Sequence, residues 1–464
     1  MFKNFKKKFI GDRAFYAMVL GVVVPIMIQN GITNLVNLLD NIMVGRLGTE
    51  QMSGVSIVNQ LIFVYNLCIF GGLSGAGIFT SQYFGQKDDE GIRNTFRYKL
   101  WMAIILTVVV LGALLAFDEQ LIGLYLKGSS DGGDLAATLR YGVNYLHIMA
   151  LGLPAFMMLQ IYASTLRECG ETVVPMKAGL IAVFVNLVFN YFLIYGKFGF
   201  PKLGVSGAAV ATVISRYVEA LIVIIWAHRH KVKNTYIQGL YRTWKVPLPI
   251  AKKIFVKGMP LLLNEALWSA GMATLSQCYS VRGLNVVAGL NIANTVNNLF
   301  SVVYIAMGSA VAIIVGQHLG AGRMEEARDT DNKLIAFGMM SCFVMASVMI
   351  LASPYFPMLY NTSDAARKQA AAIIVAQAIF MPQNSFLHST YFTLRSGGKT
   401  VITFFFDCVS LWLISLPVVF VLSRFTEIPA HFIYAAGQMA DWGKCILGFI
   451  LVKKGVWLQN IVKE

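Results

Sequence analysis

The sequence predicts an all-α membrane protein of twelve transmembrane helices in two pseudo-symmetric six-helix lobes. Three observations lead to this fold class: an apolar composition, twelve long apolar runs and an internal repeat. Hydrophobic residues make up 57% of the 464 positions, and charged residues make up only 13%. Because about a quarter of the residues in a soluble domain are charged, most of this surface is expected to face the lipid bilayer.

The apolar runs are numbered here as spans 1 to 12. Each is long enough to cross a hydrocarbon core of about 30 Å. They occupy residues 14–44, 52–80, 95–117, 141–165, 173–195, 204–227, 254–280, 284–315, 333–352, 370–394, 400–424 and 431–452. Span 1 follows a basic N-terminus but is too long for a signal peptide and lacks a small-residue cleavage site. We therefore expect it to be retained.

The formal net charge is +15, but the distribution of the basic residues favours a membrane topology over nucleic-acid binding. Of the 38 lysines and arginines, 27 lie at the N-terminus, in the even-numbered connections or at the C-terminus. Because cytoplasmic segments are enriched in these residues, both termini are expected in the cytoplasm of a multi-pass plasma-membrane protein. The most basic connection, 228–253, separates a predicted N-terminal lobe, 1–227, from a C-terminal lobe, 254–464.

An internal repeat relates the two lobes. A shift of 235 residues places Pro25 on Pro260 and aligns the phrases TSQYFGQ and IVGQHLG, so that Gln82 meets Gln317 and Gly85 meets Gly320. A shift of 228 residues places TLRECGET (165–172) on TLRSGGKT (393–400). Each copy has six spans, so the copies share one orientation and are related by a pseudo-two-fold axis along the membrane normal. Parallel repeats of this kind are typical of transporters with the substrate path between the halves.

Polar and charged residues in the first lobe predict a cation site. A charge at mid-bilayer costs about 2.5–3.5 kcal/mol or more unless it is paired or solvated. Asp40 lies in the outer third of span 1, and polar groups lie at a matching depth on two other spans. Asn186 and Asn190 share one face of span 5, and Ala208 and Thr212 share one face of span 6. One carboxylate with amide, hydroxyl and carbonyl oxygens suits sodium, and a proton on Asp40 is the alternative occupant. The asparagines could instead simply hold helices together.

The remaining charged residues within the spans are less informative. Glu265 lies near the middle of span 7, where it could contact a cationic substrate, carry a second proton or be structural. Two pairs of opposite charge, each three residues apart, are expected to neutralise one another in a structural role: Arg216 with Glu219, and Asp441 with Lys444. The sequence suggests no role for Asp407 in span 11.

No motif for enzymatic chemistry occurs in the sequence. It contains no P-loop, no HExxH and no nucleophile elbow. The six cysteines lie in or beside apolar runs without paired spacing, which predicts packing rather than disulfides or a metal cluster. We therefore expect neither an enzyme nor a resident cofactor.

Several phrases resemble the multidrug and toxic compound extrusion family. They are LLDNIMVGRLG (38–48), GVSGAAVAT (204–212) and the two TLR phrases. The resemblance spans the whole chain and implies a V-shaped pair of six-helix lobes that exports organic cations in exchange for sodium ions or protons. It also implies that cation binding involves the acid of span 1, the two polar positions of span 5 and the Ala/Thr pair of span 6. Here these are Asp40, Asn186, Asn190, Ala208 and Thr212.

The sequence departs from that family's pattern at two positions. The second polar position of span 5 is often aspartate but is Asn190 here, which lowers the charge of the site. Some branches carry an acid eleven residues before the arginine of the second TLR phrase, and counting back from Arg395 gives Asn384. A site in the second lobe would then depend on Glu265 as its only acid, so we place ion coupling in the first lobe.

The sequence thus predicts a monomeric secondary antiporter that exports amphipathic, cationic compounds, with a slight preference for protons over sodium as the coupling ion. The nearest alternative is a lipid-linked precursor flippase of the same superfamily. That function needs a basic cavity for a pyrophosphate, and the spans offer few candidates beyond Arg216 and Lys444. A membrane protein of signalling or purely structural function is a further alternative, disfavoured by the intramembrane acids and the repeat.

Overall fold

Helices follow the twelve predicted spans in the computed structural model, which describes residues 8–45, 47–126, 134–360 and 362–463. No strand occurs within those ranges. The helices of spans 1 to 6 are Arg13–Gly45, Thr49–Gln86, Asp89–Ala116, Leu135–Ala150 with Leu153–Glu168, Val173–Tyr195 and Val205–Arg229. Those of spans 7 to 10 are Leu248–Ser280, Leu284–Phe300 with Val302–Gly320, Met324–Ala352 and Asp364–Ser396. Shorter helices in the connections are Asp118–Leu126, Thr235–Ile237 and Phe356–Leu359.

The last two spans are irregular. Span 11 begins and ends as α-helix, at Thr400–Phe404 and Leu416–Phe425, with two π-helical segments between, Phe405–Val409 and Leu411–Ser415. Span 12 consists of Ala430–Ala440 and Trp442–Lys454. π-helical turns are rare and are frequently found at functional sites. The two π-helical segments of span 11 therefore mark its polar residues as candidates for a functional role.

The lengths and composition of the helices fit a membrane protein. In the part of the chain that the structure describes, nine helices are long and apolar enough to cross a bilayer, and the bent pair of span 4, with 45° between its helices, would make ten. Spans 7 and 12 complete the twelve segments but fall short of that test. Span 7 carries Glu265 within its length and span 12 divides at Asp441. The all-helical membrane fold is confirmed.

Local sequence explains where individual helices end. Span 5 ends at Gly196, whose φ of 67° lies in the left-handed region that favours glycine. Span 10 begins at Ser363, whose side chain accepts a hydrogen bond from the main-chain nitrogen of Ala366 at 3.2 Å. This contact satisfies one of the amides that the first turn of a helix leaves unpaired.

The chain divides into two compact units. The N-terminal unit comprises Ile28–Thr80 and Asp89–Lys253, and the C-terminal unit comprises Met1–Met27, Ser81–Asp88 and Ile254–Glu464. The C-terminal part of span 1 and all of the predicted span 2 thus belong with the first repeat, whereas two short segments, Met1–Met27 and Ser81–Asp88, join the second. In span 1 the division follows Pro25, which removes a main-chain hydrogen bond from the helix interior.

The C-terminal end of span 2 crosses span 8 at two glycines of the C-terminal unit. A Cβ atom on Gly85 would overlap the main-chain oxygen of Gln317, and one on Gly320 would overlap the main-chain oxygen of Gln82. Gly85 and Gly320 are equivalent in the repeat, as are the two glutamines. The contact is therefore reciprocal, as at a local two-fold axis, and both positions require glycine because the helix backbones touch.

A buried ion pair anchors the N-terminal half of span 3 in the N-terminal unit. The side chain of Lys99 is 0% exposed, and its Nζ lies 2.5 Å from Glu168 Oε2. Lys99 also donates to the hydroxyls of Ser164 and Thr165, at 3.2 and 3.1 Å. The ammonium group therefore has three oxygen partners, which is the condition under which a buried charge is tolerated.

Candidate cation-binding site

Asp40 lies on span 1 in the N-terminal unit and faces span 5. Asn190 Nδ2 donates to Asp40 Oδ1 at 2.6 Å. Hydrogen bonds to an ionised carboxylate are shorter and stronger than those between neutral groups, and this distance fits that class. The structure thus brings together the acid and one predicted span 5 residue. In the phrase 38–48, Arg46 lies outside the described residues.

The hydrogen-bonded chain continues from Asn190 to span 6. Asn190 Nδ2 donates to Asn186 Oδ1 at 3.0 Å, and Asn186 Nδ2 donates to Thr212 Oγ1 at 3.3 Å. Thr212 Oγ1 in turn donates to the main-chain oxygen of Ala208 at 3.0 Å. The two pairs of residues four apart place their groups on one helix face each, so the five residues predicted for the site form one connected cluster.

One oxygen of this cluster has no hydrogen-bond partner. Asn190 is 1% exposed, and its Oδ1 is buried without a donor among the described residues. Leaving a buried acceptor unpaired costs about 1–3 kcal/mol. The cluster therefore offers a carboxylate and an unpaired amide oxygen, with further oxygens on Asn186 and Thr212, and this all-oxygen set fits a hard monovalent cation.

Arg216 and Glu219, on the same helix as Thr212, do not form the predicted pair. No contact of 4.0 Å or less joins them in the described structure. The guanidinium of Arg216 instead lies over the ring of Phe156, 4.9 Å from its centroid. Glu219 Oε1 faces Gly179, at 3.3 Å from the position that a Cβ atom would take there. The expectation of a neutralising ion pair on span 6 was wrong, because Arg216 packs on an aromatic ring.

A second polar cluster in the C-terminal unit joins spans 7, 11 and 12. Asn264 Nδ2 donates to Asp407 Oδ2 at 3.1 Å, and Lys444 Nζ lies 3.9 Å from Asp407 Oδ1. Lys444 also lies 3.1 Å from Asp441 Oδ1, so the predicted pair of span 12 is present. Ser415 Oγ donates to the same Asp441 oxygen at 3.0 Å. Asp407 and Ser415 lie in the two π-helical segments of span 11, which gives Asp407 the structural context that the sequence did not suggest.

The remaining predicted residues of the second lobe are not joined to each other. Glu265 and Asn384 are both half-buried on their spans, and no hydrogen bond links them in the described part of the chain. Sequence reasoning also missed Asp331, a fully buried acid in the helix of span 9. It lies two residues before the apolar run of span 9, so a search confined to the apolar runs does not find it.

Matching halves of helical spans, with a connected polar cluster around a carboxylate inside one of them, define the class of polytopic membrane proteins to which transporters belong. The chain belongs to the MatE family, whose sequence model matches residues 25–192 and 260–421. The two matched segments correspond to the two copies of the repeat. The resemblance stated from the sequence is confirmed, as is the expectation that the protein is not an enzyme.

Relatives of known designation cover most of the chain. It is 25% identical over 414 residues to the probable multidrug resistance protein NorM of Thermotoga maritima, covering 88% of this chain and 85% of that protein. It is 27% identical over 409 residues to the multidrug resistance protein PmpM of Pseudomonas aeruginosa, covering 88% and 83%.

Solved structures share the fold. A multidrug resistance MATE family transporter of the MOP superfamily, in an outward-facing conformation, superposes with a TM-score of 0.84 at 20% identity, covering 97% of each chain. A MOP superfamily transporter from Pyrococcus furiosus gives a TM-score of 0.85 at 20% identity, covering 95% of this chain and 96% of that chain.

Proposed function

We propose that the protein is a monomeric secondary antiporter of the plasma membrane that exports amphipathic organic cations, with a monovalent cation at Asp40 as the coupling ion. The observation that carries this proposal is the connected cluster of Asp40, Asn190, Asn186 and Thr212 with its unpaired Asn190 oxygen. The designation of relatives as multidrug resistance proteins supports the substrate class.

The charge of the cluster explains how an ion could drive exchange. With Asp40 ionised, the cluster holds one negative charge and attracts one monovalent cation. Binding of that cation neutralises the charge and changes which arrangement of the protein is more stable. An ion can shift this equilibrium only by its difference in affinity for the two arrangements, and the cluster supplies such a difference if it forms in one of them.

Asn190 distinguishes the ionised from the occupied site. Its amide nitrogen faces Asp40, as an ionised carboxylate requires, while Oδ1 has no partner. Turning the amide by half a turn presents Oδ1 to a proton on Asp40 or to a sodium ion beside it. An aspartate at this position would add a second charge, whereas the asparagine keeps the site at one.

The test of the function is transport by purified protein or everted membrane vesicles with one gradient imposed at a time. Everted vesicles should accumulate a fluorescent organic cation when a pH gradient is imposed. In a second experiment, a sodium gradient is imposed without a pH gradient, and accumulation of the same cation is measured. Accumulation that needs neither gradient would contradict secondary antiport.

We expect protons rather than sodium to drive the exchange. A site of single charge holds sodium weakly, because the metal ion must replace most of its hydration shell with protein oxygens, whereas a proton needs only Asp40. At fixed pH, added sodium should leave transport by the wild type unchanged, and the Asn186→Ala and Thr212→Ala variants should respond to sodium no differently. If sodium stimulates the wild type and both variants lose only that stimulation, the coupling ion is sodium.

The proposed orientation places connection 228–253 in the cytoplasm and loop 361–368 outside the cell. The structure describes residues 362–368 of that loop. In a cysteine-free background, an impermeant maleimide added to intact cells should label Ala365→Cys and not Thr243→Cys, since both positions are exposed. Permeabilised cells, in which both should react, are the control. The reverse pattern would invert the topology and the direction of transport.

The flippase alternative is not favoured by the basic residues of the described structure. Lys444 lies between Asp407 and Asp441, and Arg216 lies over Phe156. A pyrophosphate group would have to displace those contacts in order to be bound.

A further inference from the structure

Span 9 carries an acid in an environment that does not favour a charge. Asp331 is 0% exposed, and its Oδ2 has no hydrogen-bond partner within the described residues. No lysine, arginine or histidine nitrogen in the same part of the chain lies within 4.0 Å of it. An unpaired buried charge costs several kcal/mol. A carboxyl group in this position is therefore more stable when it is protonated or when a cation binds beside it.

The contact between Asp331 and Thr393 shows where a proton would lie. Thr393 Oγ1 lies 2.5 Å from Asp331 Oδ1 and 3.0 Å from the main-chain oxygen of Ser389. A hydroxyl carries one hydrogen and can donate it fully to only one of these oxygens. Both contacts are hydrogen bonds when Asp331 supplies the second hydrogen. Its own O–H then donates to Thr393 Oγ1, while Thr393 donates to Ser389.

Buried hydroxyls continue from this pair along span 10. Ser389 and Ser385 are each 0% exposed, and the Oγ atom of each is buried without a hydrogen-bond partner in the described structure. Ser385 Oγ faces span 9 at Gly338, 3.1 Å from the position that a Cβ atom would take there. Asp331, Thr393, Ser389 and Ser385 therefore form one line between spans 9 and 10, called here the hydroxyl seam. Its three hydroxyl residues on span 10 are four apart and therefore lie on one face of that helix, one turn after another.

The repeat shows that the first half lacks an equivalent acid. Thr165 is the counterpart of Thr393 under the shift of 228 residues. Its Oγ1 accepts a hydrogen bond from Lys99 Nζ at 3.1 Å, and Lys99 is paired with Glu168. The same threonine position thus faces a paired base in one unit and an unpaired acid in the other.

Charged groups on the neighbouring elements are directed elsewhere. On span 9 itself, Lys333 pairs with Asp329 at 2.5 Å. The guanidinium of Arg395 on span 10 lies over the ring of Phe392, 5.1 Å from its centroid. Other titratable groups on the helices packed around Asp331 include Arg13 on span 1, His318 on span 8, Glu325, Glu326, Arg328 and Cys342 on span 9, and Asp364, Arg367, Lys368, His388 and Tyr391 on span 10. None of these approaches the Asp331 carboxyl group within ion-pair distance in the described residues.

We propose that Asp331 is a second proton-binding site, separate from Asp40, with Thr393 as its hydrogen-bond partner and the hydroxyl seam beside it. On release, the proton leaves the carboxyl group as the coupling or solvent proton, and the Thr393 hydrogen turns from the main-chain oxygen of Ser389 to Asp331 Oδ1. The ionised Oδ1 therefore keeps a hydrogen-bond partner. Proton binding at Asp331 does not depend on the proposed antiport function. The idea that this proton is a second coupling ion does rest on that function.

Infrared difference spectroscopy of the full-length protein in detergent, between high and low pH, tests the site directly. The Asp40→Asn background removes the first acid and makes the result independent of transport. There, Asp331→Asn should remove one equivalent of the carbonyl stretch of protonated aspartic acid. Asp329→Asn, two residues away in an exposed ion pair, is the matched control and should leave that equivalent in place.

An unchanged band in Asp331→Asn would overturn the proposal, because it would mean that Asp331 does not change protonation. Thr393→Val provides a second test if Asp331→Asn does not fold. It keeps the shape of the side chain but removes the hydroxyl, so it should displace the pH midpoint of the Asp331 band without reducing its size. A midpoint identical to that of the parent would also overturn the proposal.

Discussion

Asp40→Asn is expected to abolish gradient-driven export of organic cations while leaving a folded protein in the membrane. Asparagine has nearly the shape of aspartate, and its side-chain oxygen can still accept the hydrogen bond from Asn190 Nδ2. What the substitution removes is the negative charge, and with it the capacity to take up a proton or hold a sodium ion. Packing around the side chain stays nearly the same, so the loss should be one of coupling rather than of stability.

The measurement is accumulation of a fluorescent cation in everted vesicles at equal protein levels, with thermal unfolding in detergent as a check on folding. Glu119→Gln is a matched control, because it is also a change from acid to amide in the N-terminal unit but on an exposed side chain. It should transport at the wild-type rate. An Asp40→Asn protein that does the same would remove Asp40 from the coupling mechanism.

Lys99→Met is expected to lower the free energy of unfolding by about 3–5 kcal/mol, because it breaks a buried ion pair and removes the cation closest to the largely buried Glu168 carboxylate. Replacing both partners, as Lys99→Met with Glu168→Gln, should recover much of that loss, since the penalty comes from breaking the pair rather than from its absence. The measurement is denaturant unfolding in mixed micelles, followed for the wild type, each single variant and the double variant.

Lys333→Met is the control for this series. Lys333 forms an ion pair with Asp329 across one turn of span 9, but Asp329 is half-exposed, so its loss should cost less than about 1 kcal/mol. If Lys99→Met costs no more than this control, the buried pair does not stabilise the N-terminal unit.

The fold was predictable because the bilayer restricts the options. Main-chain groups in lipid must be satisfied within the span, so a long apolar run can only be helical. The polar cluster around Asp40 was predictable for a similar reason: Asn186 and Asn190, and Ala208 and Thr212, lie four residues apart and must share helix faces. Their convergence on Asp40 required only that spans 1, 5 and 6 meet.

What could not be predicted depends on contacts between distant residues or on competing partners. Asn264 and Asp407 meet across 143 residues of sequence, and no local pattern indicates that contact. Arg216 and Glu219 have the spacing of an ion pair, but the ring of Phe156 holds the guanidinium. Asp331 was not predicted because hydropathy identifies apolar runs, and this acid lies just before such a run begins. Its burial inside the protein depends on tertiary packing, which hydropathy does not report.

The crossing at Gly85 and Gly320 has a consequence for the ancestry of the chain. Gly85 meets the main chain of Gln317, and its counterpart Gly320 meets the main chain of Gln82, so the contact is self-complementary. That is the geometry of an interface between two identical subunits. A six-span ancestor carrying one copy of this motif could have formed the same crossing by dimerising. Fusion of two such genes would have preserved it, with each copy constraining what the other could become.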